Sequence, residues 1–424
     1  MLSLYTAFMN GGKMEEVSGG VCAVRGIKAS GVKEGNNGLA LILGGGSAAG
    51  MFTANKLPAE TVIFTKRQIE RSGRISAVIA NSGCANSFTG EEGLRNAERM
   101  AELVSDAFEI PKEEVAVAST GPIGKPLDMN LIERQFREVA KTLTESPEGS
   151  TRAAKAIMTT DTFHKEIAVR ISEKGSSAGS NNSGDAVKVA NAVSIGGIAK
   201  GSGMIFPHLE ATMLAFIYTD ASLNANTLRE CLREAVENSF NMIVVDGDMS
   251  TNDLVLLVST GDAECEVSES AFKHGLNYVC EHLARMIARD GEGATKFIEV
   301  RVKGAASVED ARRAARAVIR SPLVKCSLFG EKPFWGRVIA ALGASGVEIE
   351  RKGLKMWFGS LERRDGSKTA ELVAANGKIL NPPSARRFLR ERELFLEIDL
   401  GVGGEGKARA WGCDFSYDYV KINS

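Results

Sequence analysis

Residues 198–221 read IAKGSGMIFPHLEATMLAFIYTDA and stand almost at the midpoint of the 424-residue chain. The first part, from Lys200 to Pro207, contains glycines, a lysine and a proline, so it can turn sharply and bring its backbone close to other atoms. The second part, from Thr212 to Ile217, is a continuous apolar run with a β-branched start, which predicts a buried strand. The stretch therefore predicts a glycine-rich turn that leads directly into a buried strand.

Thr212 is the first residue of that predicted strand. A threonine in this place has the arrangement that an N-terminal nucleophile needs, because cutting the Ala211–Thr212 bond frees an α-amine that can act as the neighbouring base. The same pattern also fits a buried strand after an ordinary loop. The spacing by itself favours this simpler interpretation.

The composition is that of a soluble globular protein without a bias toward nucleic acid or membranes. The chain is 44% hydrophobic and 25% charged, and 52 basic residues against 53 acidic residues leave a formal net charge of -1. No apolar run approaches the roughly 20 residues that span a bilayer, and residues 1–17 carry charges where a signal peptide has an apolar core. We expect a small-molecule partner, no nucleic acid, no membrane and a cytoplasmic location.

Cysteine and histidine usage argues against a disulfide framework or a metal centre. The seven cysteines are scattered without a Cys-x-x-Cys pair, and none of the four histidines lies within a helical turn of another. The acidic segment Asp246–Asp253 suggests calcium at first, but the spacing of an EF-hand is absent. The sequence predicts no metal and no resident cofactor.

A glycine cluster follows the predicted strand Leu39–Leu43. Glycines after a strand suggest dinucleotide binding, but no amphipathic helix opens after Gly44–Gly50 and no βαβ spacing follows. We predict a tight turn or a close approach of two backbones. Further on, Thr89 and Glu92 are spaced as a capping box for a helix with apolar residues at helical period.

Two turns carry candidate site residues. The predicted strand Val115–Ala118 ends in a turn at Thr120 and Gly121, where two adjacent peptide N–H groups can form an oxyanion hole. Glu292 stands between two glycines and has room for a ligand beside it. The residue types alone fit two simpler interpretations equally: an ordinary turn at Thr120 and Gly121, and a solvated glutamate at position 292.

Several ordered motifs resemble those of the ornithine acetyltransferases, also called the glutamate N-acetyltransferases of arginine biosynthesis. The central stretch resembles the self-cleavage signature of this family, and the resemblance runs from about Gly19 to the C-terminus. Further matching segments are Asn81–Gly90, Ser119–Gly124, Asp246–Asp253 and Asp290–Lys296.

The resemblance implies an α/β fold with stacked sheets flanked by helices. It also implies that the precursor cuts itself between Ala211 and Thr212. The products are an α chain, residues 1–211, and a β chain, residues 212–424, which stay folded together, commonly as an α2β2 assembly.

The resemblance further implies a reaction and the residues that perform it. Thr212 takes the acetyl group from N-acetylornithine as an acetyl-threonine and passes it to glutamate, and acetyl-coenzyme A is a possible alternative donor. Thr120 and Gly121 supply the oxyanion hole. The implied substrate-binding residues are Thr159, Lys200, Thr212, Glu292 and Asn423.

Two other functions stay open. A related self-processing amidohydrolase or aminopeptidase would use water instead of glutamate as the acyl acceptor. An unprocessed, non-catalytic homologue would only bind amino-acid metabolites. The distance from Lys200 to Thr212 is one residue longer than the family pattern leads us to expect, and a blocked cleavage would favour this last function.

Overall fold

The computed structural model describes residues 6–9, 12–173, 192–206, 213–361 and 369–424. The strands in these ranges are β1 (Thr6–Met9), β2 (Gly12–Val17), β3 (Lys28–Glu34), β4 (Asn37–Phe52), β5 (Arg74–Ser82), β6 (Val115–Thr120), β7 (Lys165–Glu173), β8 (Val193–Lys200), β9 (Leu214–Thr219), β10 (Ile243–Val244), β11 (Leu254–Ser259), β12 (Phe297–Ala305), β13 (Lys355–Ser360), β14 (Ala370–Ala375), β15 (Lys378–Ile379), β16 (Glu393–Asp399) and β17 (Gly406–Cys413). The helices are α1 (Glu60–Ser72), α2 (Gly90–Phe108), α3 (Met129–Lys141), α4 (Pro147–Ala156), α5 (Ala225–Asn238), α6 (Glu269–Arg289), α7 (Val308–Arg320), α8 (Pro322–Phe329), α9 (Trp335–Gly343), α10 (Pro383–Phe388) and α11 (Tyr417–Ile422). The predicted α/β class is confirmed.

The chain divides into two compact units. The first unit takes the described parts of residues 1–201, 208–237 and 249–283, and the second takes those of residues 202–207, 238–248 and 284–424. Each unit contains residues from both sides of position 211. The division into an α chain, 1–211, and a β chain, 212–424, stays a prediction.

A mixed sheet forms the centre of the first unit. Within the described residues its strand order is β1-β2-β7-β8-β9-β11-β4-β5-β6, and β3 pairs with β4 beside this path. Strands β8, β9 and β11 are buried at every position, as in a sheet that is covered on both faces. This confirms the predicted buried strand over residues 214–217, whereas Ala211 and Thr212 lie outside the described residues.

The glycine cluster after Leu43 is part of strand β4, so the predicted turn is wrong and the predicted close approach is right. A Cβ on Gly46 would lie 1.7 Å from the carbonyl oxygen of Ser259 on the neighbouring strand β11. The register between β4 and β5 shifts between Leu43 and Gly46, and Gly44 has a φ of 135°. The glycines therefore allow one long strand to continue through a bulge against a close neighbour.

Helix α2 exists as predicted, but the capping box at its start is wrong. The Thr89 side chain does not cap the helix. Instead, the backbone N–H groups of Thr89 and Gly90 both donate to Oε1 of Glu60 on α1, over 2.9 and 2.7 Å. A carboxylate at a helix N-terminus satisfies the free N–H groups and interacts favourably with the helix dipole, so a distant glutamate replaces the local cap.

The second unit contains a seven-stranded sheet within the described residues, in the order β10-β17-β12-β16-β13-β14-β15. Helix α7 packs against β12 and β17 with a stripe of alanine, valine and isoleucine side chains. The Ser307 side chain caps this helix by accepting a hydrogen bond from the Asp310 N–H at 3.0 Å.

Candidate active site

Lys200 is the last residue of β8, and its ammonium group brings three of the predicted site residues together. Its Nζ donates to Oγ1 of Thr159 at 2.8 Å and lies 3.2 Å from Oγ1 of Thr120. The residue is 7% exposed, so these bonds form with little access to water. The predicted site residues of the first unit thus form a compact centre in which a lysine contacts two threonine hydroxyls.

Asp161 supports this centre and was not singled out from the sequence. Its Oδ1 accepts hydrogen bonds from Nζ of the buried Lys165 at 2.7 Å and from the Gly201 N–H at 2.8 Å, and its Oδ2 lies 3.9 Å from Nζ of Lys200. Burial by itself would raise the pKa of the Asp161 carboxyl, but the charges of Lys200 and Lys165 and the Gly201 N–H hold that pKa well below its usual range. Asp161 is therefore an ionised carboxylate between two lysines.

The same carboxylate positions Thr159. The Thr159 N–H donates to Oδ2 of Asp161 at 3.0 Å, in a local turn that spans two residues. The sequence signal for this contact is a carboxylate two positions after the threonine, which is a common way to stabilise a turn. It predicts the turn but not that a lysine lies beside it.

The turn at Thr120 and Gly121 ends strand β6. Gly121 has a φ of 140°, and a Cβ there would lie 2.5 Å from the backbone nitrogen of Cys84. Only glycine fits this position without displacing the backbone. Thr120 forms an isolated antiparallel bridge with Cys84, and its hydroxyl faces Lys200. The structure thus makes the Thr120 hydroxyl a candidate donor in addition to the peptide N–H groups expected from the sequence.

Glu292 and Asn423 meet in the second unit. The Asn423 Nδ2 donates to Oε2 of Glu292 at 2.7 Å, and Glu292 is 8% exposed. A Cβ on Gly203 would lie 2.3 to 2.5 Å from the carboxyl atoms of Glu292. The backbone of Gly203 therefore lies directly against this carboxylate. These two predicted residues form a second cluster within the second unit.

The turn that carries Glu292 is held by the segment that follows β17. Asp414 accepts hydrogen bonds from the N–H groups of Thr295 and Lys296 at 2.8 and 3.0 Å. The Ser416 hydroxyl donates to the Gly293 carbonyl at 2.6 Å. These contacts fix the glutamate turn from about 120 residues away, a distance over which sequence periodicity gives no information.

Asp253 is a second buried carboxyl group near the lysine that the sequence did not single out. The residue is 2% exposed, and its Oδ2 has no hydrogen-bond partner within the described part of the chain. Burial raises the pKa of Asp253 well above its usual range, although the Ser250 hydroxyl, the charge of Lys200 and the Thr53 hydroxyl act in the opposite direction. Asp161 and Asp253 therefore have pKa values shifted in opposite directions.

The described residues contain no group of three or more His, Cys, Asp or Glu side chains arranged to hold a metal ion. A search of the same ranges for a helix long and apolar enough to cross a membrane finds none. The predicted cleavage pair, Ala211 and Thr212, cannot be placed in the site because both residues lie outside the described ranges.

The fold and the site define an α/β protein with a centre in which a buried lysine and a buried aspartate contact two half-buried threonines. The model of the ArgJ family matches residues 24–424, and the chain therefore belongs to the ArgJ family. This confirms the family resemblance that the sequence motifs indicated.

Similar proteins include one archaeal and one bacterial relative of nearly the same length. The chain is 45% identical over 416 residues to the glutamate N-acetyltransferase of Methanosarcina acetivorans, which covers 97% of this chain and 99% of the relative. It is 46% identical over 425 residues to the arginine biosynthesis bifunctional protein ArgJ of Symbiobacterium thermophilum, with the same two coverages. A crystal structure of the arginine biosynthesis bifunctional protein ArgJ from Bacillus halodurans aligns with 49% of this chain and 97% of that chain, at 36% identity and a TM-score of 0.45.

Proposed function

We propose that this protein is a glutamate N-acetyltransferase that moves an acetyl group from N-acetylornithine to glutamate in arginine biosynthesis. The observation that carries the proposal is the Lys200 ammonium held between the hydroxyls of Thr120 and Thr159. This centre lies at the end of the strand that leads into the self-cleavage signature. The names of full-length relatives support the same reaction.

The first proposed step is self-cleavage at the Ala211–Thr212 bond. It frees the α-amine of Thr212, which can then take the proton from the hydroxyl of the same residue. The two products, residues 1–211 and 212–424, are proposed to remain together and to assemble as α2β2.

Acetyl transfer then proceeds through a covalent intermediate. Thr212 Oγ1 bonds to the acetyl carbon of N-acetylornithine while its proton passes to the α-amine. The tetrahedral intermediate collapses, the bond from carbon to nitrogen breaks, and ornithine leaves with that proton. The amine of glutamate attacks the acetyl carbon and the ester bond to Thr212 breaks. A proton from that amine passes through the α-amine to Thr212 Oγ1, so N-acetylglutamate leaves and the hydroxyl is regenerated.

The oxyanion of each tetrahedral intermediate needs hydrogen-bond donors. The Thr120 hydroxyl oxygen accepts a bond from Lys200, so its own hydrogen is available to donate to the oxyanion. The Gly121 N–H is the proposed second donor. Removing one such donor typically slows a reaction by about 100-fold to 1,000-fold.

Substrate recognition is proposed to use the binding residues that the family resemblance implies. Glu292 attracts the ammonium group of the amino-acid substrate, and Asn423 holds the Glu292 carboxylate in place. Thr159 and Lys200 complete the binding of the substrate together with Thr212. The reaction needs no resident cofactor or metal, acetyl-coenzyme A is a possible second acetyl donor, and we expect the enzyme to work in the cytoplasm.

The experiment that tests this function combines an intact-mass measurement with an acetyl-transfer assay. Wild type should give two fragments that meet at Ala211 and Thr212, and it should form N-acetylglutamate only when both N-acetylornithine and glutamate are present. T212A should remain one chain and form no product. Acetate release without glutamate would indicate a hydrolase instead, and an intact wild-type chain without turnover would indicate a binding protein.

A further inference from the structure

The turn at Thr120 is held by a side chain from a distant part of the first unit. Asn252 is 7% exposed, and its Nδ2 donates to the carbonyl oxygens of Ala85 at 2.6 Å and Ser119 at 2.9 Å. An amide nitrogen carries two hydrogens, so both are used by these two carbonyls. Asn252 therefore links the loop after β5 to the last residues of β6.

The bond to Ser119 fixes the direction of the peptide group that leads into Thr120. The Ser119 carbonyl and the Thr120 N–H belong to one planar trans peptide, in which the C=O and N–H bonds point in opposite directions. An amide that holds the carbonyl oxygen therefore also sets where the N–H points. The same plane ends at the Cα of Thr120, from which the hydroxyl extends toward Lys200.

The orientation of the Asn252 amide is fixed at its other end. Its Oδ1 accepts a hydrogen bond from the Thr251 hydroxyl at 2.7 Å, and the Thr251 oxygen accepts one from the Ser87 hydroxyl at 2.9 Å. The Asn252 N–H also donates to Oγ of Ser250 at 3.1 Å. Exchange of the oxygen and nitrogen ends would place an acceptor against two carbonyls, so this network selects one orientation.

The exit of the turn is tied to the same loop. The Ala85 N–H donates to the Pro122 carbonyl at 3.1 Å, while the Ala85 carbonyl accepts from Asn252. Thr120 and Gly121 thus lie between two residues, Ser119 and Pro122, that both have partners in the network around Asn252. Loss of the Asn252 amide would remove the hydrogen bond to Ser119 before the turn. It would also free the Ala85 carbonyl and so weaken the contact of Ala85 with Pro122 after the turn.

We propose that Asn252 is a positioning residue for acetyl transfer, because its amide holds the Ser119–Thr120 peptide in the orientation that aims the Thr120 hydroxyl at Lys200 and at the reacting oxyanion. This role rests on the proposed function. It assigns a task to a residue of the segment Asp246–Asp253, which the sequence marked only as a match to the family pattern.

The informative variant is N252D, because aspartate keeps the size and one acceptor oxygen of asparagine but turns an oxygen toward the two carbonyls. We expect kcat for acetyl transfer to fall by about 100-fold to 1,000-fold, as for the loss of an oxyanion donor, with KM for N-acetylornithine changed less than about threefold. The matched control is S30A, which removes a buried hydroxyl that bonds to the Thr142 hydroxyl outside this network and should leave kcat within about threefold.

A double-mutant cycle with T120V separates positioning from general support of the fold. If Asn252 acts through Thr120, the double variant N252D/T120V should be no slower than T120V. If the loss of kcat in the double variant equals the product of the losses in the two single variants, the two residues act independently and the proposed role is wrong. The cycle is repeated with N252A, so the result does not depend on the folding of one variant, and intact mass and Tm are measured for each protein.

The outcome of this cycle is separate from the test of the proposed function. A wild-type protein that forms no N-acetylglutamate would contradict the function itself. A wild-type protein that transfers acetyl groups, together with an N252D variant of unchanged kcat, would contradict only the role of Asn252.

Discussion

The Asp161 carboxylate lies 3.9 Å from the Lys200 ammonium nitrogen, in a place where the side chain of Asp161 is fully buried and that of Lys200 nearly so. The same carboxylate accepts a hydrogen bond from Lys165, whose side chain has no exposed surface. A buried charge is tolerated when opposite charges and hydrogen bonds compensate for its lost hydration. Asp161 therefore allows the site to keep two ammonium groups away from water.

Replacing this carboxylate should have a large effect on stability. We expect D161N to lower the free energy of unfolding by about 3–5 kcal/mol, since it removes the carboxylate charge beside two buried ammonium groups. The measurement is urea unfolding in a T212A background, in which we expect the chain to remain in one piece. E166Q is the control, because Glu166 lies on β7 next to Lys165 and accepts bonds from the Ser150 and Thr151 hydroxyls. Equal losses in both variants would contradict the special role of Asp161.

The hydroxyl of Thr159 should matter for activity more than its methyl group. T159V removes the oxygen that accepts the 2.8 Å bond from Lys200, whereas T159S keeps it. A hydrogen bond to a charged group contributes about 1.5–3 kcal/mol, so T159V should lower kcat/KM by about 10-fold to 150-fold. T159S should stay within about fivefold of wild type. Similar losses in both variants would show that packing, not the hydroxyl, sets the effect.

The close approach of Gly203 to Glu292 gives a steric test of the second cluster. An alanine at position 203 would place its Cβ 2.3 to 2.5 Å from the Glu292 carboxyl atoms and would displace that carboxylate. We expect G203A to raise KM for N-acetylornithine about tenfold or more, as expected for the loss of a charged hydrogen bond. G343A is the matched control, because a Cβ there has no atom within 4 Å. An unchanged KM in G203A would argue against substrate binding by Glu292.

Asp253 should make stability depend on pH in a defined direction. Burial raises its pKa in the folded protein, so between the ordinary aspartate pKa and the raised one the folded state holds a proton that the unfolded state releases. The free energy of unfolding must then fall as pH rises through this window, by up to about 1.4 kcal/mol per pH unit.

The variant D253N has no such proton, which makes it the comparison for this pH dependence. Relative to D253N, wild type should lose stability as pH rises above the ordinary aspartate pKa of about 4. Tm is measured for both proteins at each pH, again in the T212A background. A difference in Tm that stays constant across this range would contradict a raised pKa for Asp253.

Much of the local structure follows from the sequence because its causes are local. The apolar runs that become β9 and β11 are buried along their whole length, and the apolar positions of α6 recur at helical period. The turn at Gly121 needs a glycine because its φ of 140° is unfavourable for residues with a Cβ. Where the local signal had two solutions, as at Gly44–Gly50, a neighbouring strand decided between a turn and a bulge.

The sequence by itself thus determined the α/β class, the apolar strands and helices, and the motifs that define the family. Tertiary structure alone decided that Lys200 contacts Thr159 and Thr120, which precede it by 41 and 80 residues. It also placed Asp161 between two lysines and Asn252 against the Ser119 carbonyl. The physical reason is that periodicity and turn propensity report a residue's nearest neighbours in the chain. These hydrogen bonds and ion pairs instead depend on which distant segments the folded sheet brings together.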